Sequence, residues 1–111
     1  MSESSYPEFI KGLPEADIPF DGVRGWLSQG ESQQVVFFEI DPIGEVSTHT
    51  HGDQWGIVVK GEMELTIGEK TRKYGPGDSY YIPAGKPHSA KFLSFVRVID
   101  VFGDVDRYGR K

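Results

Sequence analysis

The sequence predicts an all-β domain of short antiparallel strands folded into a sandwich or barrel. Three observations point there. Fourteen glycines and seven prolines break the chain into short runs rich in β-branched and aromatic residues. Turn signals recur too often for the long crossovers that a parallel α/β sheet requires. No amphipathic helical pattern exceeds two turns, apart from a short candidate at 6–12.

The elements follow in order. Residues 1–15 read as an N-terminal arm, loose over 1–12, and 16–111 as a single barrel domain. Strands are expected around 23–28 (VRGWLS) and 34–40 (QVVFFEI), on either side of a Gly-Glu-Ser turn. A loop, DPIG at 41–44, leads to the histidine pair of HTHGDQWG. WGIVVKG reads as a buried strand closed by Gly61, and EMELTI alternates polar with apolar residues. Gly68-Glu69 is a hairpin turn into KTRKY. After the turn at 74–78, SYYIP gives a short strand and AGKPH another turn. AKFLSFVRVIDVF reads as one long final strand, and the tail GDVDRYGRK as solvated.

Composition narrows the function classes. Hydrophobic residues make up 37% and aromatics 13%, enough for one core in 111 residues and too much for a disordered chain. No apolar run approaches the roughly 20 residues of a spanning helix, so no membrane role is expected. The start carries no basic and apolar leader, so the expected location is the cytoplasm. Cysteine is absent, which excludes disulfides and thiolate metal sites. A net charge of -5 without a basic stripe argues against nucleic acid as a partner.

Histidine is the informative residue, because there are only three: His49, His51 and His88. Side chains at i and i+2 of a strand share a face, roughly 6.5–7 Å apart at the backbone. Two imidazoles can converge from there on one ion, at about 2.0–2.1 Å each. An isolated H-x-H also occurs by chance as a pair of surface histidines. Here the only other histidine arrives behind a Pro/Gly turn, in Gly77-DSYYI-Pro83-Ala-Gly85-Lys-Pro-His88.

With these residues in place the sequence resembles the cupin superfamily. That family's second motif is G, five residues, P, one residue, G, two residues, H, matched at Gly77, Pro83, Gly85 and His88. The asparagine expected further along is replaced by Phe92. The first motif is G, five residues, H-x-H, three or four residues, E, six residues, G. Gly44, His49, His51, Gln54 and Gly61 fill it, with one residue fewer before His49 and a shorter gap before Gln54. The matched region is roughly 44–92. The resemblance implies a small antiparallel jelly-roll barrel with one divalent metal ion, whether Zn, Ni, Fe, Co or Mn, held by His49, His51, Gln54 and His88.

Glutamine stands where the family has its metal-binding glutamate. Its amide oxygen can ligate a divalent ion, or its amide can donate to a bound water or substrate. Asp53, of opposite strand parity, is the alternative carboxylate ligand. Three neutral imidazoles and an amide leave the ion's +2 charge uncompensated, so the centre should attract an anion such as a carboxylate or enolate.

Other residues have chemistry to offer. By alternation one of Tyr80 and Tyr81 faces inward, where a phenol could act as a general acid. Arg97 shares a face with Phe95 and Ile99, and Arg24 with Trp26; an inward arginine would clamp a substrate carboxylate. Asp100 is a candidate base. Trp26 and Trp55 read as core or interface aromatics. The expected function is metal-dependent isomerase, tautomerase or lyase chemistry on a small polar, anionic metabolite, sugar-related by the resemblance. Two other readings stand beside it: an iron-dependent dioxygenase, and a non-catalytic module that binds a small molecule through the metal. The apolar faces of WGIVV and SFVRVIDVF, with the small size, suggest a homodimer.

Overall fold

A computed structural model describes residues 5–111. One short helix, α1 (Glu8–Lys11), precedes nine strands. They are β1 (Val23–Gln29), β2 (Gln34–Ile40), β3 (Gly44–His49), β4 (Gln54–Lys60), β5 (Met63–Ile67), β6 (Lys70–Tyr74), β7 (Ser79–Ile82), β8 (His88–Phe92) and β9 (Val96–Phe102). Two antiparallel sheets face each other, in the orders β1-β2-β9-β4-β7 and β3-β8-β5-β6. After the β1–β2 hairpin the chain crosses between the sheets at every connection except the β5–β6 hairpin, which is the jelly-roll arrangement the family resemblance implied. No helix among the described residues is long and apolar enough to cross a membrane.

The core lies between the sheets. Val36, Phe38 and Ile40 of β2 and Val96 and Val98 of β9 meet Met63, Leu65 and Phe92 from the opposite sheet. Period-two alternation places these residues inside and sends Phe37, Arg97 and Ile99 to the outer face of the larger sheet.

Three expectations change. The single final strand is two, because the chain bends at residues 93–95 and crosses between sheets. The bend leaves Leu93 71% exposed. A continuous apolar run cannot announce such a crossing, since both segments are legitimate buried strands. The N-terminal arm is docked rather than loose: Tyr6 is buried and its hydroxyl donates to the carbonyls of Phe38 (3.1 Å) and Val98 (3.0 Å). Residues 1–4 of that arm lie outside the described residues. The tail is also held. Ala16 bridges to Arg110, the Asp17 amide donates to Gly109 O at 2.9 Å, and Tyr108 packs edge-on against Phe38 and Phe102.

Candidate metal centre

The three histidines are assembled by one bulge and one turn. Val46 of β3 pairs with Ala90 of β8, but His49 pairs with His88, so β3 carries one extra residue between them. The extra residue switches parity, which lets Val46 and His49 both face the interior. His51 lies just past the strand end. Its carbonyl accepts the amide of Gly85 at 2.9 Å, and the following Gly52 amide donates to Asp104 Oδ2 at 2.8 Å. Gly85 has φ +76°, a conformation that favours glycine, in the turn that delivers His88.

Each ring is oriented by a carbonyl. The Nδ1 atoms of His49, His51 and His88 lie 2.8, 2.9 and 2.9 Å from the carbonyl oxygens of Ser47, Gly52 and Lys86. Carbonyls only accept, so each Nδ1 carries the proton and each Nε2 keeps its lone pair for the centre. One ligand atom from each ring can be chosen so that all lie within 4.8 Å of one another. His51 Nε2 and His88 Nε2 stand 3.1 Å apart. That separation suits two nitrogens held at about 2.1 Å on one ion. Burial lowers the pKa of both His51 and His88, and the Arg107 charge lowers each further. Neutral imidazole is the ligating form, so the donor set fits a divalent metal.

The histidines open onto a cavity of about 730 Å³ between the sheets. Gln54, the first residue of β4, lines it, as do Tyr80, Asp100, Phe102 and Arg107. Gly56 pairs with Tyr80 on one side and with Asp100 on the other. The Tyr80 hydroxyl donates to Asp100 Oδ1 at 2.7 Å across this glycine, where any β-carbon would collide with both groups. Burial raises the Asp100 pKa to about 6, while hydrogen bonds from Tyr80 and Gln54 pull against the rise. The Tyr80 phenol is pushed up, chiefly by burial and then by the Asp100 charge. Asp100 can therefore exchange a proton near neutral pH, and Tyr80 can hold its carboxylate in place.

Arg107 was not singled out by the sequence, because it sits in a polar tail without periodicity. Its guanidinium lies 4.5 Å from the Tyr108 ring centroid and 5.7 Å from that of Phe102. Among the described residues its Nε is the one buried side-chain nitrogen without a hydrogen-bond partner.

Two expected site residues are not brought to the cavity. Tyr81 faces out, 54% exposed, and donates to Asp53 Oδ2 at 2.7 Å. Arg97 is buried on the outer face, with its Nε 2.8 Å from Glu39 Oε2 and its charge beside Tyr6 and Phe95. Alternation put Arg97 with Ile99 correctly, but the opposite face, Val98, Asp100 and Phe102, is the one that points inward. Arg24 joins Glu39 (3.5 Å) and Asp41 (3.3 Å) on the same outer surface.

The sequence profile described as "Cupin domain" matches residues 36–102, more than half of the chain. The chain belongs to the cupin family. This cupin is 37% identical over 73 residues to the H2HPP isomerase of Bacillus subtilis, a match covering 64% of the chain and 31% of that protein. It thus spans less than a third of that relative's length. Among solved structures it is similar to KdgF from Halomonas sp., with TM-score 0.71, 25% identity and 86% of each chain covered. An RmlC-like cupin from Shewanella frigidimarina shares the fold, with TM-score 0.74, 23% identity and 92% and 90% of the two chains covered.

Proposed function

We propose that this cupin is a divalent-metal-dependent enzyme that moves a proton on a small carboxylate-bearing metabolite, as an isomerase or tautomerase does. The carrying observation is the gathering of three groups at one cavity. They are three histidines with free Nε2 atoms, a buried Asp100–Tyr80 pair, and an Arg107 guanidinium whose Nε has no partner among the described residues. His49, His51, His88 and the Gln54 amide oxygen would hold the metal, which when bound supplies a Lewis acid for an enolate or carboxylate oxygen. Arg107 clamps the carboxylate through its guanidinium. Asp100 takes and returns the proton, and Tyr80 keeps its carboxylate aimed into the cavity. The name of the isomerase relative supports this reaction class.

The test follows solvent deuterium into the carbon next to the carbonyl of pyruvate and phenylpyruvate, with zinc- and manganese-loaded protein. Exchange above the rate of free metal, lost in Asp100→Asn, supports the proposal. Tight binding without exchange would leave a binding module instead. We also propose a homodimer formed through the outer face of the larger sheet, where Trp55, Val59 and Tyr81 are exposed apolar groups. Light scattering of the parent and of Trp55→Glu tests it; a monomeric parent refutes it.

A further inference from the structure

We infer that Gln34, which does not line the cavity, is the residue that positions Arg107 for carboxylate binding. The inference rests on the anion-binding reading of Arg107 given above. Gln34 opens β2 and is 1% exposed, an unusual burial for a glutamine. Its side chain treats Tyr108 as a neighbouring strand would. Oε1 accepts the Tyr108 amide at 3.0 Å, and Nε2 donates to the Tyr108 carbonyl at 2.9 Å. Gln29, across the same hairpin, supports it: its Oε1 accepts from Gln34 Nε2 at 2.9 Å, and its Nε2 donates to Val105 O at 2.8 Å.

Two glutamines therefore grip the backbone at residues 105 and 108, bracketing Arg107. Arg107 belongs to no strand, and its side chain is held by ring contacts with Phe102 and Tyr108. Its location is set by the backbone that carries it, and that backbone is held by buried amides. An apolar side chain of similar size at 34 would fill the volume. It would leave the Tyr108 N–H and C=O unpaired away from water, so the segment would move to find partners. A guanidinium displaced by about 1 Å loses the paired geometry that carboxylate recognition needs.

The test uses cobalt-loaded protein titrated with oxalate, read from the visible spectrum of the metal. Arg107→Met should weaken oxalate binding by tenfold or more. Gln34→Leu should weaken it at least fivefold, and should add less than twofold in the Arg107→Met background. Cobalt affinity, measured by chelator competition, should change by less than twofold in all three. Gln34→Glu guards against a variant that fails to fold: it keeps the acceptor for Tyr108 N–H and loses the donor. In that protein the Arg107 Nε–H resonance, identified by its loss in Arg107→Met, should shift and oxalate affinity should fall. The inference is overturned if Arg107→Met matters and neither Gln34 variant does, or if Gln34→Leu weakens binding equally in both backgrounds. Unchanged oxalate binding in Arg107→Met overturns the anion-binding reading itself, and this inference with it.

Discussion

The phenol of Tyr80 and the carboxylate of Asp100 meet at 2.7 Å across a residue that has no side chain, Gly56. The pair needs that gap, since a β-carbon at 56 would occupy the space of Asp100 Oδ1 and the Tyr80 hydroxyl. Gly56→Ala should therefore disrupt the site without touching a charged group. Overpacking of this kind costs about 1–3 kcal/mol. We expect a lower melting temperature and a proton-exchange rate reduced at least tenfold, checked by calorimetry and by the deuterium assay. An alanine variant with parent-like exchange would show that the pair is not needed.

Tyr80→Phe removes a hydrogen bond that lowers the Asp100 pKa, while the burial that raises it remains. The Asp100 pKa should rise further above its value of about 6. Exchange that requires ionised Asp100 should then lose its acidic limb at higher pH. A pH–rate profile of the two metal-loaded proteins measures the displacement. A limb that stays put or moves down contradicts the assignment of Asp100 as the base.

Asp100 also leaves a mark on stability. Its folded pKa, about 6, lies above the ordinary aspartate value of 3.8. The protonated carboxyl is the form the fold prefers, so this contribution is complete below about pH 3.8 and is lost as pH rises through about 6. Asp100→Asn has no such loss. Relative to the parent it should gain stability between pH 4 and pH 7, by up to about 3 kcal/mol. His51 and His88, whose pKa values are lowered, act in the opposite sense, losing their contribution as pH falls below about 6.5. They are present in both proteins and cancel in the difference. Urea unfolding of the chelator-treated proteins across this range provides the measurement.

Much of this site could be read from spacing, and the unread parts share a physical cause. His49, His51 and His88 were legible because glycine and proline positions fix the turns that deliver them. Gln54, whose interval to Gly61 keeps the family spacing, lines the same cavity. Facing directions were not legible. Arg97 and Asp100 lie on opposite faces of β9, and parity along a strand does not say which face meets the core. The bulge between Val46 and His49 reverses that parity again, with no marker in the residues themselves. Arg107 was missed because its place depends on Gln34, seventy-three positions earlier in the chain, gripping the backbone beside it. A side chain that replaces a strand partner has no periodicity to announce it.

Removing a ligand should remove the metal. His51 and His88 present Nε2 atoms 3.1 Å apart, with both Nδ1 protons committed to carbonyls. His51→Ala should lower affinity for zinc or cobalt by 100-fold or more, measured by chelator competition and elemental analysis. Near-stoichiometric metal in that variant would sink the three-histidine site.

Replacing Gln54 with Glu separates charge from coordination. Gln54 lines the cavity and hydrogen-bonds toward Asp100, whose carboxylate can only accept. An amide nitrogen donating to Asp100 would leave the amide oxygen to hold the metal in the proposed site. Glutamate keeps an oxygen donor for the ion but reduces the net charge of the loaded centre from +2 to +1. It also sets a second carboxylate against Asp100, which pushes the pKa of that pair higher. Metal should stay bound, while oxalate affinity should fall tenfold or more and the acidic limb of exchange should move to higher pH. Titration of the cobalt-loaded variant, beside the parent, reads the first two effects, and the pH–rate profile reads the third. Parent-like oxalate affinity would mean that the uncompensated dication is not what draws the anion, and Arg107 would then carry that role alone.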